Sequence, residues 1–176
     1  ITSTGGDIRV MNSDLTVEMP REIVSASTTA QTGELHFKAD SVSSTTDTTF
    51  YIFYNGVADD YASTSEYGSQ NVWTNDYYMV HHLNEGASVV DDHYKDSTQN
   101  NLHGTLYDAD TDTADESAGR VGNALNFNGD SDQILIQGFS APATGTVSVW
   151  LKRDEVGVAD IVYGAGSNYE LSLIHI

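Results

Sequence analysis

An all-β fold is the class this sequence predicts, and three observations predict it. Short runs of β-branched and aromatic residues recur, the strongest being Thr48-Thr49-Phe50-Tyr51-Ile52-Phe53-Tyr54, the residue types that suit a pleated, half-buried surface. Several runs alternate apolar and polar residues at a period of two, as a strand with one covered face requires. Asn-Gly pairs and Ser/Thr/Asp clusters separate the runs and supply the turns. The runs recur every ~10 to 15 residues, a spacing that fits an antiparallel β-sandwich.

Taken in order, Asp7 to Val10 reads as a short strand, followed by a turn at Asn12-Ser13-Asp14. Val17 to Met19 and Arg21 to Ser25 read as strand segments around Pro20, whose missing N–H places it at a sheet edge. Gly33 to Ala39 alternates, with Leu35, Phe37 and Ala39 on one face and Glu34, His36 and Lys38 on the other. The Thr48–Tyr54 strand ends at Asn55-Gly56. Alternation lapses from Ala58 to Gln70, where a short helix before Gly68 is expected, and residues 68–75 read as an inter-domain junction. Tyr77 to Leu83 resumes as a strand. The stretch from Glu85 to Gly119 is mostly loop, interrupted by strand-like Tyr94-Lys95 and His103 to Tyr107. Ala124 to Phe127 and Gln133 to Ile136 read as the two arms of a hairpin turning at Asn128-Gly129, with Leu125 and Phe127 facing Ile134 and Ile136. Gly145–Lys152 is another alternating strand, and residues 160–164 are the next.

Composition narrows the function. Twenty-six acidic residues against 7 basic give a net charge of -19. Such a surface repels polyanions over a Debye length of about 8 Å at physiological salt, which excludes nucleic acid and an anionic membrane face as partners. No apolar run approaches the ~20 residues that span a bilayer. There is no cysteine, so no disulfide staples the fold. Both ends read as the interior of a longer chain, with no leader peptide at the start.

Four ordered blocks carry a family resemblance. They are Tyr78 with Val80-His81-His82-Leu83-Asn84-Glu85; Asp96-Ser97-Thr98 with Asn101 and His103-Gly104; Gly119 to Gly129 with Asp132, Ile134 and Ile136; and Val147 to Lys152. Together they resemble the opening half of a concanavalin A-like, laminin-G-type jelly roll over about residues 77–170. The resemblance implies a two-sheet antiparallel sandwich, incomplete at its C-terminus here, frequent calcium binding, and glycan or protein recognition outside the cell. Residues 1–74, with Asp7 to Val10, Thr49 to Gly56 and Val72-Trp73, resemble a β-rich module of unknown function found in bacterial and archaeal surface proteins, truncated at its N-terminus. The expected organisation is therefore this smaller β-rich module, 1–74, followed by an incomplete jelly roll, 75–176.

Candidate sites follow from residue chemistry. Calcium takes six to eight oxygens from carboxylates, amides and carbonyls, and the turn Asp96 to Asn101 offers several. In the jelly-roll family such a turn lies near the strand holding Asn84-Glu85 and near a loop like Asp130-Ser131-Asp132. The expected calcium set is accordingly Asp96 and Asn101, joined by Glu85 or Asp132. Asp108-Ala109-Asp110-Thr111-Asp112 imitates an EF-hand start but has Thr113 where glycine belongs and Gly119 where glutamate belongs. His81, His82, His93 and His103 invite a zinc reading, yet adjacent histidines on a strand face opposite ways. Trp73, Tyr77, Tyr78 and Trp150 offer faces for sugar stacking. No Glu-x-Asp-x-Glu strand, nucleophile elbow or phosphate-cradling loop is present, so no catalytic role is expected. The sequence is read as a non-catalytic extracellular or cell-surface segment that binds a glycan or a surface protein. A structural spacer of a large surface or virion-tail protein, and a piece of a carbohydrate-active enzyme whose catalytic part lies elsewhere, are the other readings.

Overall fold

A computed structural model describes residues 1–107, 116–119, 122–127 and 132–152, together with the strands at 161–164 and 170–172. Among the described residues, regular structure is almost all strand, and every strand pair is antiparallel. The strands are β1 (Arg9–Asn12), β2 (Arg21–Ser27), β3 (Thr32–Phe37), β4 (Phe50–Phe53), β5 (Gly104–Tyr107), β6 (Glu116–Ala118), β7 (Asn123–Leu125), β8 (Gln133–Ile136), β9 (Ile161–Gly164) and β10 (Glu170–Ser172). They form two-stranded sheets: β1 with β4, β2 with β3, β5 with β8, β6 with β7, and β9 with β10. One turn of 3-10 helix, Ser69–Asn71, follows Gly68, where a short helix before that glycine was expected.

Local chemistry explains the front of the chain. Asn12 Oδ1 accepts from the Thr16 and Val17 amides, and Asp14 Oδ1 from the Thr16 hydroxyl. This Asx turn folds the chain back so that Met19 N donates to Val10 O at 2.8 Å. Val10 and Met19 are buried as a result. Each contributes roughly 1.5–3 kcal/mol by leaving water. The β2–β3 hairpin pairs Arg21 with Phe37 and Ile23 with Leu35, with a register shift between Ile23 and Ser25.

Polar groups are buried alongside apolar ones. The deepest apolar side chains among the described residues are Val10, Met19, Val72, Tyr94 and Leu106, and Asp7, Arg21, Glu22, Asp96, Ser97 and Thr98 are buried with them. Buried charge is tolerated only when hydrogen-bonded, and here it is. Asp7 Oδ1 accepts from the Thr2 amide and hydroxyl, and Oδ2 from the Asn55 amide. Arg21 donates to the carbonyls of Ile8 and Gly6 and meets Asp60 at 2.8 Å.

Three expected elements are rearranged. The arms Ala124 to Phe127 and Gln133 to Ile136 do not pair with each other. Strand β7 pairs with β6, setting Leu125 opposite Glu116, whereas β8 pairs with β5, setting Ile134 opposite Leu106 and Ile136 opposite Gly104. The Asn128-Gly129 turn lies outside the described residues. The β5–β8 pair packs tightly: Gly104 has no side chain, and a Cβ there would lie 2.5 Å from Ile134 Cγ2, so Ile134 fills a space only glycine leaves. Tyr77 to Leu83 is not a strand. Its backbone touches a neighbour by a single bridge, His81 to Asp96, and Asp76 and Leu83 at either end have φ of 60° and 56°. Val80 N donates to the Asp96 carboxylate instead of to a strand carbonyl. Gly145–Lys152 alternates in sequence but forms no strand among the described residues, and Val147, Val149, Trp150 and Leu151 are exposed. Alternation supplies a face, yet a strand also needs a partner for its backbone groups.

Among the described residues, no helix is long and apolar enough to cross a membrane.

Candidate functional site

The chain converges on Glu22. This β2 side chain is buried, and its two oxygens collect donors from three distant segments. Ser97 Oγ donates to Oε1 at 2.6 Å, Trp73 Nε1 donates to Oε2 at 2.6 Å, and His82 Nε2 lies 3.1 Å from Oε2. Burial alone would raise the carboxyl's pKa, but the hydrogen bonds from His82, Ser97 and Trp73 outweigh it and hold Glu22 below its ordinary value. His82 responds in the opposite sense. Its burial disfavours charge, whereas the Glu22 hydrogen bond and the nearby Glu22, Glu34 and Glu85 carboxylates raise it net.

A second layer stands beside this hub. Glu34 and His36 are two apart on β3 and so share one face. Residues 73–82 cover that face. The His36 and His82 rings stack at 5.1 Å with 28° between planes, and Trp73 lies 5.2 Å from His36 and 5.9 Å from His82. His36 Nε2 and Glu34 Oε1 are 2.7 Å apart. Lys38 Nζ donates to Thr74 Oγ1. The polar face of β3 is therefore an interface, with the Glu34 side chain only 15% exposed.

Next to it opens a groove of about 280 Å³ walled by His36, Phe37, Lys38, Trp73, Asn75 and Tyr77. Trp73 is half-buried and Tyr77 exposed. Their rings meet edge to face, 5.1 Å apart at 80°, forming a corner of two apolar walls with an amine and an amide at its margin.

The residues expected to hold calcium occupy a different place. Asp96 is buried, and its oxygens are already filled: Oδ1 accepts from the Val80 and Thr98 amides at 3.0 and 2.9 Å, and Oδ2 from the Thr98 hydroxyl and Leu102 amide at 2.8 and 2.9 Å. Those bonds hold its pKa below the ordinary value although burial pushes the other way. Asp96 thus closes the 96–102 loop as an acceptor. Asn101 lies in that loop at a left-handed φ of 53°, and its amide oxygen accepts from Gln70 Nε2. Glu85 is drawn close, since its Oε1 accepts from Lys95 N at 2.8 Å. Asp132 is half-buried just ahead of β8. A cation at Asp96 would have to displace three backbone N–H groups, each costing about 1–3 kcal/mol when left unpaired. The acidic run at Asp108 to Asp112 and Asp130 lie outside the described residues.

The other histidines are tied to backbone. His81 Nε2 meets Leu102 O at 3.0 Å and His93 Nε2 meets Gly86 O at 3.2 Å, while His103 Nδ1 accepts from Asp96 N. Burial lowers the pKa of His81. Of the four histidines singled out in the sequence, His82 alone belongs to the cluster. Glu22, Glu34 and His36 went unmarked because each sits in a strand with no motif around it; the i,i+2 pair Glu34/His36 was the one available signal.

Compared with models of protein families, with curated proteins and with solved structures, the chain matches none.

Proposed function

We propose that this chain is a non-catalytic binding segment of an extracellular or cell-surface protein, with a β-rich front module at 1–74 and a jelly-roll, lectin-like portion at 75–176, and that it recognises a glycan. The observation that carries this reading is the Trp73–Tyr77 corner. Sugar rings present C–H faces that pack on aromatic walls. Trp73 is locked by its bond to Glu22, so one wall is preorganised and little entropy is lost on binding. Lys38 and Asn75 supply donors for hydroxyl groups. A groove of about 280 Å³ takes a single sugar ring or a chain end. Neutral glycans are not opposed by the charge of -19, whereas polyanions are.

A glycan array probed with the wild-type chain and with Tyr77→Ala, each with and without calcium, tests the reading. Retention of a defined glycan that disappears in Tyr77→Ala, at unchanged melting temperature, is expected. A wild-type chain that retains no glycan overturns it in favour of a structural spacer.

A further inference from the structure

We propose that Glu34, His36 and His82 form a transition-metal site of the zinc class. One donor atom from each residue lies within 4.8 Å of the others. A tetrahedral zinc ion with its usual N and O bond lengths needs donors about 3.4 Å apart, so the Glu34 and His36 side chains would close on His82 as the ion binds. Glu34 Oε1 and His36 Nε2 already lie in hydrogen-bond contact at 2.7 Å, and a metal would sit between these two atoms in place of the hydrogen bond.

The donor chemistry selects the ion. Two imidazoles and one carboxylate without thiolate suit zinc and its neighbours, whereas calcium requires an all-oxygen shell. The three residues leave a fourth position open, and the His36 side chain, 34% exposed, lets water reach it.

An independent feature supports the assignment. Metal-bound histidines characteristically give their other ring nitrogen to a carboxylate, which fixes the ring and raises its basicity. His82 has that partner in Glu22, and Glu22 is itself fixed by Ser97 and Trp73. With Nε2 facing Glu22, the nitrogen left for an ion is Nδ1. His81, His93 and His103 lack this arrangement, each meeting a backbone group instead. The site does not depend on glycan binding and stands or falls separately.

The test uses the full chain stripped with a chelator, then titrated with Zn2+ by calorimetry and with Co2+ by visible absorption. One equivalent of Zn2+ at micromolar affinity or tighter is expected, with the intense visible bands of tetrahedral Co2+. His36→Ala and Glu34→Gln should each weaken binding by about 100-fold or more, and the outer Glu22→Gln by about 10- to 100-fold. His93→Ala, away from the cluster, should leave affinity unchanged. Circular dichroism reports whether each variant is folded, and Glu34→Gln decides if His36→Ala is not. Substoichiometric binding by the wild type, or folded Glu34→Gln and His36→Ala that keep affinity within about threefold, overturns the site.

Discussion

Asp96→Asn separates an organising carboxylate from a cation ligand. Asp96 accepts four hydrogen bonds, two at each oxygen. Asparagine has nearly the same shape but replaces one oxygen with an NH2 group. If the amide nitrogen takes the Oδ1 place, it faces two backbone N–H groups, Val80 and Thr98, and both lose their acceptor. If it takes the Oδ2 place, the Thr98 hydroxyl can turn to accept, but Leu102 N–H is left facing a donor. The second arrangement is the better one and still strands one half-buried N–H, at about 1–3 kcal/mol. The two bonds kept at Oδ1 lose their charge assistance, and charged bonds are roughly twice as strong as neutral ones. The total is on the order of 3 kcal/mol. For a chain of this size that corresponds to a fall in melting temperature of about 6–12 °C. Thermal denaturation followed by circular dichroism, in chelator and in millimolar calcium, is the assay. A similar loss is expected in both buffers. A variant as stable as wild type in chelator, with a deficit appearing only when calcium stabilises the wild type, would refute the reasoning and identify Asp96 as a cation ligand.

Two further outcomes follow from the buried polar groups and the close packing. Asp7, Glu22 and Asp96 all have folded pKa values below the ordinary range: Thr2 leads at Asp7, and at the other two hydrogen bonds overcome burial. A depressed carboxyl contributes stability that is present above its unfolded pKa, about 4, and lost as pH falls through the folded value, whereas the raised His82 contributes stability that is lost as pH rises through its folded value; the melting temperature should drop below about pH 4, and a melting temperature that is unchanged or still rising as the pH is taken below about 4 contradicts the assignment. Gly104→Ala would put a Cβ 2.5 Å from Ile134 Cγ2 and 3.5 Å from Tyr94 Cβ, costing about 1–3 kcal/mol as overpacking, whereas Gly145→Ala, whose nearest neighbour is Pro142 Cγ at 3.6 Å, should change the urea midpoint little; equal effects would show that the β5–β8 contact is not tight.

The buried polar residues have a functional corollary. Glu22 bonds His82 and Ser97, and the Val24 carbonyl accepts from Asn84 Nδ2 at 2.8 Å. Residues of β2 are thus tied to residues 82–97 through hydrogen bonds. A network of this kind fixes a single arrangement because every buried member must keep its partner. It also holds Trp73 and His82 in place, and these serve the aromatic groove and the proposed metal site respectively.

The sequence by itself determined the class of this protein and the location of most strands. Period-two alternation and β-branched composition mark β2, β3, β4, β5 and β8 because they record which face each strand covers, a local property. The sequence did not determine which strand pairs with which. Residues 133–136 have the same alternation whether they lie beside β7 or β5, and only the folded chain shows β5 as their partner, with Ile134 in the space that Gly104 leaves. Nor did it determine the site. A turn carboxylate and a ligand carboxylate look alike in sequence, and only the folded chain shows that three backbone N–H groups and the Thr98 hydroxyl donate to the Asp96 oxygens. Glu34 and His36 read as a solvent face because alternation says which residues point away from the core and nothing about what lies over them. Residues 73–82 lie there, brought from about 40 positions along the chain by the Glu22 hydrogen bonds, and such a long-range contact leaves no periodic trace.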